Sequence, residues 1–471
     1  MQASTNHELL TILNAMKRAH LAAGPASAEL RRDRLARSIA LIRDNHQALS
    51  AAMQADFGHR SHYQALVADI ATSIKMLQDA SDHLMSWMQP EPVAQPAPGM
   101  QAWIEQQPIG VVGVISPWNF PINLAFGPLA GVFAAGNTAM LKPSELTPRT
   151  SALLAELVGR YFAPDELMVV LGDADVGQAF SALPFDHLVF TGSTTVGRHV
   201  MRAAAENLVP VTLELGGKSP VMVDQDADIT VVAERTLTIK TFNAGQICLS
   251  PDYMLLPEEK VEALVQAAHT FMQRSFATIQ DNPDYTAIIS DRHFARLVGL
   301  LDDARAKGAR IISLAPQHEP DFDAHSRKMA PHLVLGVTDE MAIMQEEIFG
   351  PLLPIKTYQE PAQAVAYINA HPRPLAAYYF GNDLDRQHAF MRSTTSGALV
   401  INDVMSHASI DSLPFGGIGA SGIGAYHGVH GFRRFTHAKP VVVQSADGAS
   451  GLRLRAPYQD KLAAIEAFLN A

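Results

Sequence analysis

One cysteine, Cys248, occurs in the 471 residues of the chain. It ends the run Phe242-Asn243-Ala244-Gly245-Gln246-Ile247-Cys248, just past a glycine-bearing turn. A thiol attacks an electrophilic carbon as its thiolate, and it needs an electropositive or base-assisted setting to ionise at neutral pH. Standing alone, such a cysteine reads first as a small buried hydrophobe. Other stretches supply partners of the right chemistry: Pro117-Trp118-Asn119-Phe120-Pro121 with an amide, and Leu213-Glu214-Leu215-Gly216-Gly217-Lys218 with a carboxylate. Lys142-Pro143-Ser144-Glu145, Phe190-Thr191-Gly192-Ser193 and Glu346-Glu347-Ile348-Phe349-Gly350-Pro351 complete the set. Singly, an asparagine between prolines shapes a turn and a glutamate faces solvent. Gly192-Ser193-Thr194-Thr195-Val196-Gly197 departs from Gly-x-Gly-x-x-Gly, but glycine admits a phosphate to the backbone and a helix N-terminus attracts its charge.

The elements that must position these residues follow from periodicity. Leu35, Ile39, Ile42, Leu49 and Met53 form a helical stripe, and a second helix is expected over Gln64 to Trp87. The proline-rich run from Met88 to Gly99 breaks helix, and Ala102–Gln106 reads as a strand of an arm leaving the globule. From Gly110, strands at Val111–Ile115, Thr138–Leu141, Met168–Leu171, His187–Phe190 and Val211–Leu213 alternate with helices at Leu124–Ala135, Arg149–Phe162, Val176–Leu183 and Val196–Asn207. That alternation signals a parallel sheet, which binds ligands at the carboxyl ends of its strands. A second block runs from about Pro220 to Asn402, with strands near Tyr253–Leu256, Arg310–Ser313, Leu333–Leu335, Ala377–Phe380 and Ala398–Ile401. Pro440–Gln444 is β-like and could pair with the arm, and Leu462, Ile465 and Leu469 form a terminal helical stripe. The fold class is α/β.

A net charge of −11, spread along the chain, argues against nucleic acid and anionic membrane as main partners. Met1 to Arg18 lacks the apolar core of a signal peptide, and no run of about 20 apolar residues suggests a membrane span. A single cysteine excludes an internal disulfide framework and suits a reducing cytoplasm. The 19 histidines form no pattern of metal-ligand spacing, so no metal is expected.

Taken together and in order, these motifs resemble the aldehyde dehydrogenase superfamily, over about residues 5 to 445. The resemblance implies a Rossmann-like NAD-binding domain (1–83 and 106–213) and a catalytic domain (214–435). It further implies a β oligomerisation arm (84–105 and 436–448) and a C-terminal tail with a helix (449–471). It implies oxidation of an aldehyde to the acid, with Cys248 as nucleophile, Asn119 as oxyanion donor and Glu214 as the base that releases the thioester. Trp118, Lys142, Ser144, Glu145, Gly192, Ser193, Gly197, Glu347 and Phe349 match cofactor-binding positions. Glu145 beside an adenosine ribose would repel a 2′-phosphate, favouring NAD, with NADP as the alternative.

Phe120-Pro121-Ile122-Asn123-Leu124 and Ser421-Gly422-Ile423-Gly424-Ala425-Tyr426-His427-Gly428 are similar to the class 3 branch, whose members are typically dimers. Asp56-Phe57-Gly58-His59-Arg60-Ser61 and Asp411-Ser412-Leu413-Pro414-Phe415-Gly416-Gly417 are similar to its bacterial members acting on coniferyl aldehyde. Asn123, Leu124, Gly127 and Met405–Ile410 are the expected walls of a substrate tunnel that the terminal helix could cap. Their apolar or small character suits a phenylpropenal or a medium-chain aliphatic aldehyde. The alternatives are a relative that passes the acyl group to coenzyme A and a catalytically silent member of the fold.

Overall fold

The computed structural model describes residues 2–94, 99–446, 448 and 454–471. Part of the expected arm and tail, 95–98 and 449–453, lies outside the described residues.

Two sheets dominate. In the first, Val211–Leu215, His187–Gly192, Val111–Ile115, Thr138–Lys142 and Leu167–Val169 lie parallel in that order. Most of their residues are buried, and Val111–Ile115 reads as an unbroken apolar run because both of its faces are covered. The helix Asn123–Ala134 is apolar all round because it lies inside one face; Phe126, Leu129, Val132 and Phe133 are fully buried. The second sheet runs Arg310–Ser313, His332–Leu335, Leu352–Tyr358, Pro251–Pro257, Ser219–Val223, Ala376–Phe380 and Ala398–Ile401, parallel except at its first edge.

Only Gly216, Gly217 and Lys218 separate strand Val211–Leu215 of the first sheet from strand Ser219–Val223 of the second. The carboxyl ends of one sheet therefore meet the amino ends of the other. Pro117–Asn119, Lys142–Glu145, Gly192–Ser193 and Glu214 lie along the first crest. Cys248 and Glu347 lie just before strands Pro251–Pro257 and Leu352–Tyr358 on the facing side.

Four features depart from the sequence reading. Strands Ser219–Val223 and Leu352–Tyr358 were not expected, because Pro220 and Pro354 lack the N–H that a central strand normally donates. A register shift at Ser219/Pro220 absorbs the first of these. The helix expected over Gln64 to Trp87 is broken by a π-helical turn, Ala65–Ala71, before Thr72–Trp87. The chain also returns to the first sheet inside the segment assigned to the second unit: Gly422–Ile423 pairs antiparallel with Glu214 and Leu213. The terminal helix Gln459–Leu469 forms, yet Leu462, Ile465 and Leu469 are all more than half exposed (55, 52 and 73 %), so its stripe is not buried within this chain.

The arm is a three-stranded antiparallel sheet in which Gln101–Pro108 lies between Glu91–Pro92 and Thr436–Val443. Strand Thr436–Val443 is its mostly exposed edge.

Candidate active site

The turn that carries the thiol holds three consecutive left-handed residues. Asn243, Ala244 and Gly245 follow one another at φ of +49°, +52° and +70°. Left-handed residues in series, two of them not glycine, persist only where their surroundings over-determine them. Here the surroundings are explicit. The Asn243 N–H donates to Gln64 Oε1 at 2.8 Å, and its side-chain amide donates to the carbonyls of Asn119 and Gln246, each at 3.2 Å. Gln246 donates to the Asn243 and Ala287 carbonyls and accepts from the Ile289 N–H. The Asn119 side-chain amide donates to the Gln246 carbonyl at 3.2 Å, so the asparagine loop and the thiol turn are bonded directly.

Cys248, Asn119 and Glu214 all line one cleft of about 890 Å³. Cys248 is half-buried, and its thiol is pushed up to about 12, first by burial and then by the Glu347 and Glu214 carboxyls. Glu214 is 3 % exposed and neither carboxyl oxygen has a hydrogen-bond partner among the described residues. Burial raises its pKa well above the carboxylate range, against a weaker opposing pull from Arg434. A carboxyl without partners, beside a thiol, is a group poised to exchange a proton.

The same cleft is lined by Trp118, Gly192, Ser193, Glu347 and Phe349. Ser193 caps helix Thr194–Ala205, its hydroxyl accepting from the Val196 N–H, and Thr194 and Thr195 of the first turn line the cleft. Trp118 packs edge-on against Phe349 and His293, with ring centroids 5.4 Å apart in each case. The Glu347 carboxyl lies over Gly216, where a Cβ would stand 2.1 Å from Oε1; burial and Asp252 raise its pKa to about 8. A Cβ at Gly216 would displace the end of the Glu347 side chain. Residues 343–348 are clamped from two sides. Lys218 donates to the Ile343 and Glu346 carbonyls and pairs with Asp252, which accepts from the Ile348 N–H. Arg296 binds Glu346 and the carbonyls of Glu347 and Ile348.

Four of the expected residues stand apart from the cleft lining. Lys142 is buried on the neighbouring strand end and donates to Glu145 at 3.2 Å. The Ser144 hydroxyl accepts from the Leu146 N–H and serves the turn before helix Pro148–Tyr161. Gly197 packs against Leu215, which a Cβ would approach to 2.7 Å, so it sets the helix-to-strand distance. Gln64 and Arg296, which help hold the site, lie in no motif read from the sequence, and Lys218 and Gln246 lie in quoted motifs but were given no role there. Their long-range contacts, such as Gln64 to Asn243 and Lys218 to Ile343, leave no local pattern in the sequence.

The sequence matches the aldehyde dehydrogenase family over residues 1–441, and the chain belongs to that family. It is an aldehyde dehydrogenase: it oxidises an aldehyde to the acid and uses a nicotinamide cofactor. It is 58 % identical over 455 residues to a coniferyl aldehyde dehydrogenase of Pseudomonas sp. (strain HR199 / DSM 7063), covering 97 % of this chain and 95 % of that one. A substrate-bound Staphylococcus aureus AldH superposes with a TM-score of 0.92 at 36 % identity, over 98 % of this chain and 99 % of the other. A Mycobacterium tuberculosis aldehyde dehydrogenase complexed with NAD+ gives 0.82 at 27 % identity, over 94 % and 91 %. No helix among the described residues is long and apolar enough to cross a membrane, and none of their side chains form a metal-binding group.

Proposed function

We propose that Cys248 is the nucleophile, Asn119 and the Cys248 N–H the oxyanion donors, and Glu214 the base. The observation that carries this reading is the meeting of all three in one cleft, with Asn119 hydrogen-bonded into the thiol turn. The Cys248 sulfur adds to the aldehyde carbon and the proton ends on the carbonyl oxygen, giving a thiohemiacetal. An aligned amide donor to that oxygen is worth about 3–4 kcal/mol. A nicotinamide bound in the cleft would supply the hydride acceptor, and the hydroxyl proton would leave to solvent as the thiohemiacetal becomes a thioester. Glu214 then takes a proton from water as the water attacks the thioester carbon, releasing the acid and restoring the thiol. That carboxyl favours hydrolysis over transfer to coenzyme A.

The cofactor fits the residues present. The open first turn of helix Thr194–Ala205 suits a diphosphate, and Glu347 over Gly216 suits a ribose hydroxyl. Trp118 and Phe349 would flank the nicotinamide end. Lys142 and Glu145 would hold the adenosine ribose, and the Glu145 carboxylate supports NAD over NADP. We assign residues 1–83 and 106–213 to the cofactor domain and 214–435 to the catalytic domain, with 84–105 and 436–448 as the arm and 449–471 as the tail. The exposed edge Thr436–Val443 supports a homodimer, since an open edge pairs readily with another chain. A lone thiol supports a cytoplasmic setting. Coniferyl aldehyde, or another phenylpropenal, is the proposed substrate, supported by the Pseudomonas relative and by the apolar wall at Leu124.

The test is a panel of cinnamyl, benzyl and aliphatic aldehydes compared by kcat/KM with NAD and NADP, alongside Cys248→Ala. The reading expects the highest value for phenylpropenals with NAD. It expects no turnover in Cys248→Ala with cofactor binding retained. Turnover in that variant would overturn the covalent route.

A further inference from the structure

Arg60 and Asp69 form an ion pair at 2.7 Å, and both side chains are wholly buried. Burying two charges costs several kcal/mol per ion, and their attraction often does no more than offset that, so stability alone does not account for such a pair. What the pair touches does. Arg60 Nη1 donates to the Asn119 carbonyl at 3.0 Å, while Nη2 donates to Asp69 Oδ2. The other carboxylate oxygen of Asp69 accepts from the N–H groups of Ile122 and Asn123, at 3.0 and 3.2 Å. Asp69 thus holds one end of the loop 119–123 and Arg60 the other. The guanidinium also lies 5.4 Å from the ring of Phe120 and 4.6 Å from that of Phe57. Its Nε has no partner among the described residues, so the group is held by its contacts to the loop rather than by full satisfaction of its donors.

The π-helical turn Ala65–Ala71 is what delivers Asp69 to this position, and such turns commonly occur at functional sites. From its N-terminal side, Gln64 reaches the Asn243 N–H of the thiol turn. The Asn119 carbonyl is shared between Arg60 and the Asn243 amide, so one atom joins the ion pair to both the asparagine loop and the cysteine turn.

We propose that Arg60 and Asp69 are a positioning pair that holds the Asn119 amide in register with Cys248. The proposal rests on Asn119 as oxyanion donor. Neither residue touches the substrate; both act through the loop 119–123.

A double-mutant cycle tests it. Arg60→Met and Asp69→Asn are made in the natural and the Asn119→Ala backgrounds. Nicotinamide reduction is followed in single turnover at saturating cofactor, and cofactor Kd is measured separately. A displacement of about 1 Å at a catalytic group costs about 100-fold. Arg60→Met is therefore expected to slow single turnover about 100-fold with cofactor Kd unchanged, and to add little once Asn119 is gone. An equal loss in both backgrounds, or no loss in either, overturns the positioning role. If Asn119→Ala alone leaves the rate unchanged, the oxyanion reading itself fails, a separate result. Should Arg60→Met not fold, the double variant Arg60→Met/Asp69→Asn removes both charges and keeps an acceptor for the Ile122 and Asn123 N–H groups. The same cycle is then read on it, with the same outcomes.

Discussion

Gly245→Ala probes the junction between the thiol turn and the cofactor loop. Gly245 has φ of +70°, and a Cβ there would stand 2.5 Å from the Gly350 carbonyl oxygen and 2.8 Å from its carbon. Contacts become ordinary at 3.4 Å, so one of the two backbones must retreat by about 0.9 Å. Gly350 is not free to yield, because its carbonyl already accepts from the buried Lys240 ammonium at 2.9 Å. The left-handed conformation adds about 1–2 kcal/mol for alanine. Displacing Cys248 relative to Phe349 by this distance is expected to slow single-turnover nicotinamide reduction about 100-fold. The urea midpoint should fall as well. Gly299→Ala is the matched control. Gly299 sits within helix Asp291–Ala306 and its Cβ meets nothing within 4 Å. That variant should gain about 0.5–1 kcal/mol and keep full activity. If Gly245→Ala matched the natural protein in both rate and stability, the idea that this contact sets the thiol's position would be wrong.

Glu214→Gln should leave a single burst of reduced cofactor and block thioester hydrolysis; intact-mass analysis should then find the acyl group on Cys248. Burial raises the Glu214 pKa, so the basic form appears only as pH climbs above the usual carboxylate range. Hydrolysis should accordingly rise with pH through that window, and the rise should vanish in Glu214→Gln. Gly216→Ala places a methyl against the end of the Glu347 side chain, which can swing aside. Losing a hydrogen bond from this largely protonated carboxyl costs about 0.5–1.5 kcal/mol, so cofactor KM should rise about two- to tenfold with little change in melting temperature. Asp56 accepts from the Arg149 and Thr150 N–H groups at the start of helix Pro148–Tyr161. Asp56→Ala should lower unfolding free energy by about 1–2 kcal/mol, read in urea, with kcat unaltered.

The parts of the site that could be read from the chain are those whose local backbone demands unusual residues. Gly216 lies under a carboxylate and Gly245 ends a left-handed turn against Gly350, so a Cβ at either would collide with a segment of the site; Gly192 precedes a capped helix and packs against the Phe190 ring. Strands such as Val111–Ile115 were equally legible, since burial on both faces forces a continuous apolar run. Proline hid two central strands, because its missing N–H normally excludes it from such positions. The supports of the site were hidden for a different reason. Gln64 meets Asn243 across 179 residues and Arg60 meets Asn119 across 59; although Arg60 lies in the run Asp56–Ser61, nothing in that run shows which distant carbonyl it reaches. Residues that do chemistry must sit on backbone that approaches its ligand, which constrains the local sequence. Residues that hold them need only reach, and a long polar side chain reaches from any element that tertiary packing brings near. The Ala65–Ala71 turn bridges the two cases: one extra residue per turn, invisible to a helical stripe, swings Asp69 inward to meet the loop that carries the amide.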